Sequence, residues 1–176
     1  LGRGHGIIEV NGSITKTSQK KGRRRMKIPM CCLTWGLQEE GWAATWLQLR
    51  RELDLDADRD PFLIPNCGAD WQFIRSQKMT STNGTIILRE LLIQAGINPI
   101  EAARYSTHSL KTTTLTWCAS AGLKKGIRRV LGGHSKKDDS MVWLYSRFDM
   151  AEPLRQLANV YILITNGDLL PDEGKA

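Results

Sequence analysis

The sequence predicts a mainly α protein with a minor β component, a helical bundle carrying a small antiparallel sheet near its N-terminus. Three observations carry this. Apolar residues recur at helical intervals in several separate stretches from Trp35 onward. Two short β-branched or apolar runs lie close to the N-terminus with a polar stretch between them. Glycine or proline punctuates the helical stretches where they should stop. A chain of 176 residues with 41% hydrophobic composition is ordinarily one domain, with enough apolar material for a core without disulfides or metal.

The first element is a hairpin. Ile7 to Val10 and Met26 to Met30 supply its strands, and Lys16, Lys20, Lys21, Arg23, Arg24, Arg25 and Lys27 crowd the connection. By itself such a run is a solvated loop or a localisation-type basic patch. From Thr34 to Leu53, Trp35, Trp42, Trp46, Leu49 and Leu53 follow one another at intervals of seven, four, three and four, one face of a helix. Aromatic residues at that spacing are core in most proteins, so the stripe is expected to be buried rather than to stack on bases. The acidic stretch from Asp54 to Asp60 ends the helix, and Pro61 to Pro65 is a short extended piece.

Asn83 is the expected N-cap of a helix running to Ala95, with Gly96 as its stop. Pro99 marks the connection onward. Thr107 is the expected cap of a helix bearing His108, Lys111, Leu115 and Cys118 and ending at Gly122. Residues three apart share a helix face, so His108 and Lys111 can address one phosphate together. Lys124 to Leu131 forms a short basic helix, and Gly132-Gly133 breaks it to present His134 at a turn. Ser140 to Arg147 carries Tyr145, and Met150 to Leu163 is a final helix.

Charge and cysteines narrow the class. A formal net charge of +7 and a pI near 9.4 favour a polyanionic partner, because lysine and arginine paired with phosphates release condensed counterions. The four cysteines, Cys31, Cys32, Cys67 and Cys118, lack C-x-x-C spacing, which points to buried reduced thiols of an intracellular protein and to no bound metal or cofactor. No apolar run approaches the roughly 20 residues of a membrane span, and the first residues lack the apolar segment of a secretory signal.

Four motifs then stand in a telling order. Ile14-Thr15-Lys16-Thr17-Ser18-Gln19 precedes a Gly-Arg-Arg-Arg run and Ile28-Pro29. His108-Ser109-Leu110-Lys111, Leu131-Gly132-Gly133-His134 and Leu144-Tyr145-Ser146-Arg147 follow. In this order and with these flanks the chain resembles the C-terminal catalytic domain of the tyrosine recombinases, the phage-type integrases, in a form like those of eukaryotic mobile elements. The family's pattern is His-x-x-Arg, Leu-Gly-His and a tyrosine about one helix later. Lysine stands here for the arginine, and one glycine is extra. The resemblance implies a catalytic domain over residues 1–163 that lacks its first helices, where the family carries a further catalytic arginine, and a tail over 164–176. It also implies double-stranded DNA and sister protomers as partners, with a nuclear location in a eukaryote and a cytoplasmic one otherwise.

The chemistry explains why such residues are needed. Metal-free cleavage of a phosphodiester requires a nucleophile, donors to the non-bridging oxygens and an acid for the leaving 5′ oxygen. By the resemblance, Tyr145 attacks phosphorus and forms a 3′-phosphotyrosyl link, and Lys16 protonates the leaving oxygen. His108 assists proton transfer or holds the phosphate, while His134 and Lys111 face its non-bridging oxygens. Arg23, Arg24, Lys124, Lys125, Arg128 and Arg129 contact the DNA backbone. Lysine at 111 offers a point charge where a guanidinium would clamp two oxygens. Losing one oxyanion donor costs about 100- to 1000-fold in rate, roughly 2.7 to 4 kcal/mol. That substitution keeps a second reading open, a degenerate domain that binds DNA without cutting it. A basic RNA-binding module finds no glycine-aromatic or KH-type signature to support it. A type-one topoisomerase shares the tyrosine chemistry, but the His-x-x-Lys and Leu-Gly-Gly-His pattern looks more like an integrase.

Overall fold

The computed structural model describes residues 6–12, 28–38, 41–55, 62–68, 70–133 and 147–171. Among them lie six helices and four strands: β1 (Ile7–Gly12), β2 (Ile28–Leu33), α1 (Trp42–Glu52), β3 (Pro65–Cys67), β4 (Phe73–Lys78), α2 (Ser81–Gln94), α3 (Pro99–Ala102), α4 (Thr107–Ser120), α5 (Lys125–Leu131) and α6 (Arg147–Thr165). The protein is therefore mainly α with two small antiparallel sheets, one more than the sequence led us to expect. None of these helices is long and apolar enough to cross a membrane.

The chain divides into two compact units, Leu1–Trp46 with Leu115–Ala176, and Leu47–Thr114, the boundaries falling inside α1 and α4. In the first unit β1 pairs antiparallel with β2, Ile7 opposite Leu33 and Gly12 opposite Ile28. The core forms where α6 packs on β2: Leu33, Trp35, Leu154 and Ala158 are buried, with Cys31, Leu131, Met150, Leu157 and Tyr161 against them. Each fully buried leucine there contributes roughly 1.5–3 kcal/mol. On α6, Leu154 and Val160 are buried and Leu157 and Tyr161 are partly buried against this core, so that face is largely intramolecular.

Trp35 is buried but does not belong to the helix that the spacing suggested, because α1 begins only at Trp42. Its ring meets Tyr161 edge-on, with centroids 6.0 Å apart and planes at 74°. The rest of the expected stripe is largely uncovered: Trp42, Leu49 and Leu53 are more than two-fifths exposed, and Ala43 and Arg50 are the buried residues of α1. Trp42 nonetheless works as a tie, donating its indole N–H to the Leu33 carbonyl at 3.0 Å.

The second unit is built around a hairpin and α2. Strand β3 pairs with β4, with a register shift between Pro65 and Asn66. Arg75 on β4 donates to the carbonyls of Leu53 and Asp54 at 2.9 and 2.6 Å, closing the C-terminal end of α1. That end turns through Asp54 at φ +52, where a glycine is usual. Asn83 is not the cap of α2 but a residue inside its first turn. Thr80, extended at φ −84 and ψ 160, is the cap, and its hydroxyl oxygen accepts from the Asn83 N–H at 3.1 Å.

Candidate functional site

Helix α4 carries the two described residues of the proposed catalytic set. Its first residue is Thr107, which is helical rather than the cap that the sequence suggested. The hydroxyl of Ser109 reaches back to accept from the Ser106 N–H at 3.1 Å, the returning half of a capping pair. His108 is exposed and Lys111 half-buried, three residues apart on one helix face. In the threonine run behind them Thr112 and Thr114 turn their hydroxyls back onto the carbonyls of His108 and Leu110, each at 3.1 Å.

The C-terminal half of α4 and helix α5 lie in the first unit. Gly122, at φ +77, ends α4, with the Leu123 N–H returning to the Cys118 carbonyl at 2.9 Å. Lys124 then occupies the N-cap position of α5 without a side-chain capping bond, and Lys124 and Lys125 are exposed. Arg128 is half-buried and turned onto the α4–α5 connection, its Nε donating to the Leu123 carbonyl at 3.1 Å, and Arg129 is half-buried as well. Of the four basic residues expected on DNA here, the two lysines are the ones open to solvent. Gly132 remains helical at φ −78, whereas Gly133 takes the left-handed conformation at φ +63. The break that sequence assigned to the pair is made by the second glycine. Lys16, Arg23, Arg24, His134 and Tyr145 lie outside the described residues.

The cysteines divide by environment. Cys118 is fully buried, Cys31 and Cys67 are partly buried, and Cys32 is exposed, which corrects the expectation of four buried thiols. Although Cys32 is exposed as a residue, partial desolvation of its thiol raises it above the ordinary range, and neighbouring Cys31 adds to the shift. Among the described residues no group of three or more His, Cys, Asp or Glu side chains is placed to hold a metal ion.

Two features of the second unit had no counterpart in the sequence reading. The first is a polar chain at the start of α2: the side chain of buried Asn66 accepts from Asn83 Nδ2 at 2.6 Å and donates to Gln77 Oε1 at 3.2 Å, tying the β3–β4 hairpin to the helix. The Thr-x-x-Asn spacing of Thr80 and Asn83 was the available signal for the helix start. The second is an open cleft of about 420 Å³ walled by Cys67, Trp71, Ile86 and Ile87, with Asn83 and Glu90 as its polar groups. It depends on a hairpin that periodicity does not disclose. Comparison of the chain with protein families, characterised proteins and solved structures gives no match.

Proposed function

We propose that this chain breaks and rejoins DNA strands through a 3′-phosphotyrosyl intermediate on Tyr145, in the recombination or integration of a mobile element. The observation that supports this best is the pairing of His108 and Lys111 one turn apart at the start of α4, both reaching solvent. Two groups so arranged can donate to separate oxygens of one phosphate, where negative charge grows in the transition state. Gly133 adds support by turning the chain sharply at the residue before His134. Lys124 and Lys125 offer phosphate contacts that position the duplex without reading its sequence. Double-stranded DNA and further copies of the chain are the partners this reading requires. Lysine at 111 favours a second reading, in which the domain binds DNA and no longer cuts it.

A nicked duplex whose cleaved end diffuses away separates the two. The chain should form a covalent protein–DNA band on a denaturing gel, and Tyr145→Phe should abolish it. His108→Ala and Lys111→Ala should each slow its appearance by about 100- to 1000-fold. No band from the parent chain, with salt-sensitive DNA binding retained, would overturn the cleavage reading in favour of the binding one.

A further inference from the structure

We infer that Gly84, with Ser81, Thr85 and Arg89, forms a seat on α2 that fixes the first turn of α4, making these four positioning residues for His108 and Lys111. What the two side chains do rests on the recombinase reading, but where they stand does not. Gly84 lies inside α2, where glycine is the poorest helix former short of proline. Its backbone is not in the left-handed region, so conformational freedom does not explain it. Close approach does: a Cβ at position 84 would meet Cγ2 of Thr107 at 3.1 Å and Sδ of Met79 at 3.7 Å. Carbon atoms at their best separation sit about 3.5–4.0 Å apart, so an added methyl would displace Thr107 by a few tenths of an ångström.

The polar contacts on the same face of α2 point to the same role. Ser81 Oγ and Thr107 Oγ1 are hydrogen-bonded at 3.0 Å. The Thr107 N–H, one of the donors that a helix start leaves without an intrahelical partner, is taken up by Thr85 Oγ1 at 3.3 Å. Thr85 Oγ1 in turn donates to the Ser81 carbonyl at 2.9 Å, which fixes its rotamer. One turn further along, Arg89 Nε donates to the Tyr105 carbonyl at 2.9 Å. Positions 81, 85 and 89 are four apart and line one row of the helix. They hold residues 105 and 107, immediately before His108. The seat is itself anchored, since Asn83 beside it is bonded to buried Asn66. His108 and Lys111 follow Thr107 by one and four residues on a continuous helix, so a shift of the first turn is passed to both.

The test uses Gly84→Ala and the double variant Gly84→Ala/Thr107→Ser. Serine at 107 keeps the hydroxyl that meets Ser81 and removes the methyl that alanine at 84 would strike. Two readouts are taken on the full chain. One is the rate of covalent adduct formation at saturating DNA, alongside DNA affinity. The other is the imidazole Cε1–H resonance of His108, assigned by its disappearance in His108→Gln. Gly84→Ala should keep a cooperative melt and unchanged affinity, yet slow adduct formation by about tenfold, since misplacement by 1 Å can cost about 100-fold. The double variant should return the rate to within about twofold of the parent. The His108 resonance should move in the single variant and return in the double. If the parent forms no adduct while the resonance moves and returns, the seat stands and the recombinase reading falls. If Gly84→Ala leaves rate and resonance unmoved, or the second substitution fails to restore them, the seat is overturned.

Discussion

Cys118 is fully buried near the end of α4. Burial pushes its thiol above the ordinary range, against the opposing pull of the Arg128 charge and a backbone hydrogen bond. A folded-state value above the unfolded one means that the neutral thiol is favoured in the fold. The resulting stability is complete below the unfolded thiol range, near pH 8.5, and is lost as pH rises from there through the folded value. Cys118→Ala removes a fully buried side chain and should be less stable than the parent at neutral pH, and the gap in urea midpoint should narrow as pH rises through and above the unfolded thiol range. A gap constant across that range would refute the linkage. Other residues show how far single positions could be read ahead of the fold. Burial of Trp35 was expected from the aromatic stripe and is found, but the helix that was to carry it is not. The seven-residue interval to Trp42 equals two helical turns by coincidence, since residues 34–38 and 41 are not helical and the Thr34 carbonyl accepts from the Ala43 N–H at 3.2 Å. His108 and Lys111 were legible because a helix period alone puts them on one face.

At the scale of elements, helix ends were easier to read than helix starts. Gly96, Gly122, Gly133 and Gly167 all adopt positive φ just past a helix, a conformation for which glycine has little competition. Starts depend on side-chain hydrogen bonds that several neighbouring residues can make, and so the cap of α2 fell to Thr80 instead of Asn83. The β3–β4 hairpin escaped because β4 is exposed at every position but Ile74, leaving no alternation of apolar and polar residues to detect. Helix α5 allows a sharp check of the glycine argument, since Gly126 and Gly133 both have open space where a Cβ would go and only Gly133 has positive φ. Gly126→Ala should stabilise the protein by about 0.5–1 kcal/mol through helix propensity. Gly133→Ala should destabilise it by about 1–2 kcal/mol, because a side chain in the left-handed region meets its own carbonyl. Urea midpoints of the two variants falling on opposite sides of the parent would bear this out, and shifts of the same sign would contradict it.

For the whole molecule, the sequence disclosed the fold class and most helices, but not how the chain partitions. One unit joins the two ends of the described chain, β2 meeting α6 across more than a hundred residues. Local periodicity carries no information about such a pairing, which is decided by which apolar faces fit once the helices exist. Net charge is the other molecular property, and by itself +7 does not say whether DNA is held at one face or attracted diffusely. The salt dependence of binding does. Each phosphate neutralised adds about −0.9 to the slope of log K against log salt, so removing a lysine in true contact flattens the slope by about one. Lys124→Ala and Lys125→Ala, both exposed at the start of α5, should each do so. Lys78→Ala, equally exposed on β4 and outside the proposed DNA contacts, removes the same charge and should leave the slope near the parent's. Equal flattening by all three variants would mean that the duplex responds to total charge alone, and the α5 lysines would lose their assigned role. A parent slope near zero would remove DNA as the partner altogether, because no protein held by phosphate contacts escapes counterion release.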